Sequence, residues 1–298
     1  MTQGALFFNP SSGARAPGEA EEMQQAVAGE LDFISITPGL DIPGEIRKRF
    51  AEGQRLFVAS GGDGTLNHVV QGVVETEARM AVIPSGTFNH FARDLNIPLE
   101  WRAALEIALH GDTLEIDAGK VNGRYFLNNI SLGLYPEVVE KREQLRGQGK
   151  WKAYRYAAYD AMRRFPHVSL GVETAHHLEA IKTHIFMVSV NPYDLTTIGL
   201  VAPRVSTEGG GQLSVYWLPH LSKLQMIRTL SRYFRGKISP GADFRSVKAS
   251  TLKVHSSKTL LKLGIDGELV EMKPPLLIQS APKMVRVKVP KTRRTAVV

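Results

Sequence analysis

The sequence contains no cysteine. That excludes disulfides, thiolate metal sites and a cysteine nucleophile, and it fits a cytoplasmic protein. No apolar run approaches the roughly 18 residues of a membrane-spanning helix. Residues Met1 to Phe8 lack a basic stretch followed by a long apolar core, so no secretory signal is expected. Internal repeats and low-complexity segments are missing. So are the motifs of nucleic-acid-binding modules, and nucleic acid is not an expected partner.

What is present is ordinary in amount and uneven in distribution. The chain has 298 residues, 43% hydrophobic and 22% charged, enough for one large domain or two ordinary ones. Residues 1–125 carry 10 Lys and Arg against 17 Asp and Glu, a balance of −7; residues 126–298 carry 27 against 12, a balance of +15. A basic second half suits an anionic partner such as a lipid surface, and it equally suits a solvated basic face.

The hydrophobic periodicity divides the chain near the same place. Ala5–Phe8, Phe33–Thr37, Leu56–Ser60 and Met80–Ile83 read as strands. Helical patterns alternate with them over Glu19–Leu31, Ile42–Glu52 and the face formed by Leu66, Val69, Val70, Val73 and Val74, and two more follow near Asn89–Leu95 and Leu99–Leu109. This order predicts a mostly parallel sheet with helices on both faces. From residue 114 the pattern changes. Leu114–Val121 and Arg124–Ile130 flank Asn122-Gly123, a strong two-residue hairpin signal. Strand-like runs then dominate near 168–174, 181–190, 212–218, 246–255, 259–265 and 275–289, with helical stretches at 136–146, 151–165 and 221–235. The expectation is an α/β domain over 1–125 and an antiparallel β-rich domain over 126–298.

Three strands of the first domain end in short Gly/Ser/Thr loops that lead toward helices: Asn9-Pro10-Ser11-Ser12-Gly13, Gly61-Gly62-Asp63-Gly64-Thr65, and Pro84-Ser85-Gly86-Thr87. Glycine lets a backbone approach a ligand closely, helix N-termini direct N–H groups at anions, and a parallel sheet brings its strand C-terminal ends to one edge. Together these loops suit a polyphosphate, with Asp63 placed to hold a magnesium ion beside it. Taken singly, each loop also reads as a tight strand-to-helix connection. An acidic residue between glycines is poor connector chemistry, which favours a binding role for Asp63.

Asn9-Pro10-x-Ser12-Gly13, Gly61-Gly62-Asp63-Gly64-Thr65-x-Asn67 and Gly86-Thr87-x-Asn89-x-Phe91-Ala92-Arg93 resemble, in order and spacing, the signature set of the diacylglycerol kinase catalytic domain. The resemblance continues through Ile116-Asp117 and Asn129–Gly133 to Asp266-Gly267-Glu268, so it covers nearly the whole chain. It implies an N-terminal α/β nucleotide-binding domain of the NAD kinase and diacylglycerol kinase type and a C-terminal antiparallel β-sandwich. It implies ATP and Mg2+ bound at the three loops, with Thr37 at a position that often contacts ATP, and a lipid hydroxyl as acceptor. Glu268 matches the residue taken as general base, with Asp266 shaping the turn or assisting. Read without the resemblance, Asp266-Gly267-Glu268 is a hairpin turn between two strands.

Four positions depart from the family's pattern. His68 and His90 stand where Glu and Asp are common, and histidine is a poor magnesium ligand. Gly210 stands where an Asp supports a structural magnesium site. Ala14 replaces a basic residue that Arg15 can substitute. The segment Lys150–Tyr156, running on to Arg163-Arg164-Phe165, interleaves aromatics with cations as a membrane-interface helix does, and as an ordinary amphipathic helix does. The expected protein is a cytoplasmic, peripherally membrane-associated lipid kinase, compatible with a homodimer. An NAD kinase-like enzyme, or a catalytically weakened lipid or nucleotide sensor, is the alternative.

Overall fold

Strands buried on both faces read as unbroken apolar runs rather than as alternating ones, and the first part of the chain is built from such strands. In a computed structural model of the protein, the described residues are 2–13, 15–86, 89–134, 136, 167–175, 177–192, 210–222, 224–226, 228–229 and 244–291. The first elements are β1 (Gly4–Phe8), α1 (Glu19–Ala26), β2 (Leu31–Ser35), α2 (Ile42–Ala51), β3 (Leu56–Gly61), α3 (Asp63–Val73) and β4 (Arg79–Pro84). Every residue of β1 and β3 is buried. The four strands are parallel in the order β4-β3-β1-β2, so Phe8, Ser35, Gly61 and Pro84 end on one edge.

The helices follow their sequence signals. α2 starts at Asp41, whose carboxylate accepts the Gly44 amide at 3.0 Å, with Pro43 in the first turn. α3 buries Leu66, Val69, Val70 and Val73, the face its periodicity predicts. α1 is shorter than expected: Gly29 turns the chain at φ 84°, and Leu31 is already paired with Gly4 in β2. α4 (His90–Asp94) and α5 (Trp101–His110) follow β4, α5 capped by Glu100, which accepts the Arg102 and Ala103 amides at 2.9 and 2.8 Å.

The chain forms two compact units. Of the described residues, the first holds those up to Asp117 together with those from Pro282, and the second holds those between Ala118 and Ala281. Two strands run through the division, β5 (Asp112–Val121) and β15 (Leu276–Val289). The C-terminal part of β15 pairs in parallel with β4 through Arg286 and Val287.

The second unit contains β6 (Arg124–Phe126), β7 (Asn129–Gly133), β8 (Val168–Thr174), β9 (Leu178–Ser189), β10 (Leu213–Pro219), β11 (Arg245–Ala249), β12 (Thr251–His255), β13 (Leu261–Ile265), β14 (Glu268–Met272) and the start of β15. Its ladders are antiparallel: β9 pairs with β7, β8 and β10; β13 with β7 and β14; β12 with β8 and β15. Phe126, Ile130, Phe186, Val188, Val215, Leu263 and Ile278 lie in one buried cluster. Two expected strands are each split. Arg124–Ile130 breaks into β6 and β7, and 246–255 breaks at Ser250 into β11 and β12. The expected helices at 136–146 and 151–165 lie almost wholly outside the described residues, as does the Lys150–Phe165 segment, and only fragments of 221–235 are described.

Candidate functional site

Each of the three loops continues a buried parallel strand, so their positions are fixed by the sheet edge. They also pack on one another. Gly13 has φ +67°, and a Cβ there would stand 1.8 Å from the Ser85 carbonyl oxygen. A Cβ on Gly86 would stand 2.7 Å from the Gly62 Cα. Any side chain at these points would push the loops apart, which is the physical reason for glycine in all three. The side chain of Asn9 ties the first two loops together: its Nδ2 donates to Thr65 Oγ1 at 2.9 Å, and its Oδ1 accepts the Ser11 amide at 3.0 Å. Asn89, which precedes α4 with φ 49°, donates to the Gly86 carbonyl at 2.8 Å and closes the third loop.

Asp63 is the first residue of α3, where a carboxylate is favoured by the helix dipole. Thr65 and Asn67 are buried behind it. Arg15 sits under the first loop. It stacks 4.4 Å from the Phe8 ring, pairs with Glu19 at 2.5 Å and donates to the Ser60 carbonyl at 3.1 Å. Among the described residues, five buried side-chain polar atoms have no protein partner, and Arg15 Nε, Asn67 Nδ2 and Ser85 Oγ are three of them. An unmet buried donor or acceptor costs about 1–3 kcal/mol, so their gathering at these loops fits a polar ligand. A cavity of about 420 Å³ opens between the first and third loops and the starts of α1 and α5, walled by Gly13, Arg15, Ser85, Gly86, Asn89, Leu99 and Trp101 among others. Asp63 is not in its wall.

The second unit gathers a different set. The β13–β14 hairpin turns at Asp266-Gly267, with φ 48° and 87°. The Asp266 carboxylate accepts three consecutive backbone amides, Leu127 at 2.7 Å and Asn128 and Asn129 at 2.9 Å each. This clamp is what splits β6 from β7. Burial pushes the Asp266 carboxyl up to about 6, against the three amides that pull it down. Two residues on, Glu268 opens β14 and receives Arg124 Nη2 on Oε2 at 2.5 Å; the two side chains are 30% and 29% exposed. Arg124 Nε is another of the buried atoms without a partner.

Of the residues marked in the sequence, Asn9 to Gly13, Gly61 to Thr65, Asn67, Gly86 and Asn89 come together in the first unit. Thr37 ends exposed beyond β2 on the same sheet edge, and Arg93 is exposed on α4. Thr87 and the His90 side chain lie outside the described residues, while His68 is exposed. Asp266 and Glu268 belong to the second unit. A Cβ at Gly210 would meet no atom within 4 Å. Arg124 was not marked. Its only sequence signal is its place just after the Asn122-Gly123 turn, and its partner is 144 residues away.

Residues 3–121 match the diacylglycerol kinase catalytic domain, and residues 128–289 match the YegS C-terminal NAD kinase beta sandwich-like domain. Proteins named diacylglycerol kinase from Staphylococcus aureus, strains bovine RF122 and Newman among them, are each 30% identical over 271 residues, 88% of this chain and 85% of theirs. The crystal structure of a diacylglycerol kinase from Bacillus anthracis strain Sterne superposes with a TM-score of 0.72 at 21% identity, covering 99% of this chain and 98% of that one. The C-terminal unit is thus the antiparallel β-sandwich that the resemblance implied, and the N-terminal unit its α/β companion. With both domain types matched in order and relatives aligned over most of their length, the chain belongs to the diacylglycerol kinase family.

Proposed function

We propose that the protein is an ATP-dependent lipid kinase that passes the γ-phosphoryl group to the hydroxyl of diacylglycerol or a related lipid at a membrane surface, with residues 1–125 serving the nucleotide and 126–298 the acceptor. The observation that carries this reading is the mutual packing of three glycine loops on one sheet edge. A Cβ on Gly13 would meet the Ser85 carbonyl oxygen and one on Gly86 the Gly62 Cα, so only glycine lets the loops approach this closely. Such a cradle suits a polyphosphate, because amide donors and a helix N-terminus stabilise spread negative charge without reorganising.

Asn9 to Gly13, Gly61 to Thr65, Asn67, Gly86, Thr87 and Asn89 hold the phosphates in this reading, with Thr37 and Arg93 toward the rest of the nucleotide. Asp63 holds Mg2+, which neutralises phosphate charge when bound; one carboxylate plus substrate phosphates is a usual magnesium set. Glu268 takes the proton of the lipid hydroxyl as its oxygen bonds to the γ-phosphorus and the bond to the β-phosphate bridge breaks, releasing ADP. Arg124 fixes one Glu268 oxygen and leaves the carboxylate oriented, while Asp266 sets the turn beneath it.

The test is transfer of labelled phosphate from ATP to a panel of mixed-micelle lipids: diacylglycerol, monoacylglycerol, a sphingoid base and a prenyl alcohol, with NAD as a soluble acceptor. Labelled diacylglycerol phosphate is the expected product. Label on NAD alone, or ATP binding with no labelled product, contradicts the reading, the first favouring an NAD kinase-like enzyme and the second a sensor.

A further inference from the structure

Three histidines from three neighbouring strands meet at the end of β7 remote from Asp266. Gly133, the last residue of β7, pairs with Ile185 of β9, while Asn129 at its other end meets Asp266. His184 precedes Ile185 and is fully buried; its Nε2 donates to the Leu221 carbonyl at 3.1 Å, which fixes the ring. His167 leads into β8 and His220 follows β10, and both strands pair with β9 at Thr183. The rings of His184 and His220 stack at 4.9 Å, and His167 stands edge-on at 5.4 Å from His220 and 6.1 Å from His184.

The surroundings carry one sign. Among the described residues, the charges acting on His167 come from Lys182 on β9, Lys258 between β12 and β13 and the His184 ring, and those on His220 from Lys182 and the other two imidazoles, with no carboxylate among them. His167, His220, Lys182 and Lys258 are all exposed. Three imidazoles held in contact beside two lysines repel one another as they gain protons, unless an anion sits over them. A metal ion is a poorer occupant: stacked rings do not converge on one point, and no group of metal ligands forms among the described residues.

We propose that His167, His220, Lys182 and Lys258, seated on the buried His184, form a binding site for a phosphate monoester. Imidazole titrates near 6.5 and a phosphate monoester gives up its second proton near 6, so the pair shares protons across the neutral range. A phosphodiester has no such proton to share. The site lies apart from Glu268, and binding at it requires no phosphoryl transfer, so its test is independent of the kinase reading. Burial and the adjacent cations hold the His167 and His220 rings below the usual imidazole value; a bound dianion raises both.

The experiment uses the full chain and phosphatidylcholine vesicles carrying either phosphatidic acid, a monoester, or phosphatidylglycerol, a diester, at matched surface charge. Co-sedimentation is measured near pH 6 and near pH 8 for the wild type and for H167Q/H220Q, with His184 untouched because it is buried. The wild type is expected to prefer the monoester by about thirtyfold near pH 6, from two extra charges at the surface, and to lose most of that preference near pH 8. The double variant is expected to show none. Inorganic phosphate is then added as competitor while the ring signals of His167 and His220 are followed by NMR in the wild type, a readout that needs no variant. Displacement with moving ring signals assigns the site to free phosphate as well as headgroups; a persisting preference assigns it to the lipid headgroup. A double variant that keeps the preference, or a wild type that binds both vesicles equally with unmoved ring signals, overturns the proposal.

Discussion

The two units build their polar centres from different materials. In the first, the loops meet through glycine backbones, with Gly62 against Gly86 and Gly13 against Ser85, and the side chains that matter tie loop to loop. In the second, the centre is made of charged side chains: Asp266 clamps three amides, and Arg124 grips Glu268. A backbone-built site depends on space and tolerates no added atoms. A side-chain-built site depends on charge and hydrogen-bond count and tolerates changes of bulk better than changes of chemistry. The contrast predicts that the same size of substitution will act on different observables in the two places.

The largest effect expected in the first unit is on turnover. Asp63→Asn removes a charge with little change of shape, and loss of one group that stabilises developing charge costs about 10²–10³ in rate. Turnover measured against magnesium concentration should fall by that order while the melting temperature barely moves; full activity at every magnesium level would remove Asp63 from the proposed site. Gly13→Ala probes space instead. Its Cβ meets a backbone oxygen, and the residue sits at positive φ, so a stability loss of about 2–4 kcal/mol with weakened nucleotide binding is expected by chemical denaturation and calorimetry. A neutral Gly13→Ala would mean the loops are not packed as described.

In the second unit, Asp266→Asn probes hydrogen-bond count. An amide presents one oxygen and one NH₂, so at least one of the Leu127, Asn128 and Asn129 N–H groups loses its acceptor, at about 1–3 kcal/mol. The pH dependence has a definite sign. With its folded-state carboxyl at about 6 rather than 3.8, Asp266 retains a proton that the unfolded chain releases, so its contribution is fullest below about pH 4 and is lost as the pH rises through 6. The penalty of Asp266→Asn should therefore be larger in unfolding measured near pH 4.5 than near pH 7.5. The smallest effect sharpens the comparison from outside both centres: Arg102 pairs with Glu22 at 2.5 Å on an exposed surface, and Glu22→Gln should change stability by less than about 1 kcal/mol.

Much of the first unit was legible in the sequence because its signals are local. Unbroken apolar runs gave β1, β3 and β4, Asp41 and Pro43 gave the start of α2, and glycines at strand ends gave the loops. The end of α1 was misplaced because Val27 and Leu31 continue the helical period, while Gly29 and the pairing of Leu31 with Gly4 decide otherwise. The second unit was legible as strands but not as contacts. Nothing local announces that Asp266 reaches Leu127 or that Arg124 meets Glu268, since more than 130 residues separate each pair. The return of β15 to pair with β4 is equally silent, because its apolar alternation is satisfied by either unit. The histidine cluster was invisible for the same reason: His167, His184 and His220 come together only through the ladders of β9.

The central claim is that Glu268 serves the acceptor and the glycine loops serve the nucleotide. Glu268→Gln keeps the size of the side chain and an oxygen for Arg124, yet it cannot take a proton. Lipid phosphorylation and ATP-binding calorimetry on the same preparation separate the two roles. The account predicts a fall of about 10²–10⁴ in turnover, roughly 3–5 kcal/mol of barrier, with ATP affinity unchanged; a variant as fast as the wild type, or one whose ATP binding falls in step with its turnover, would contradict it.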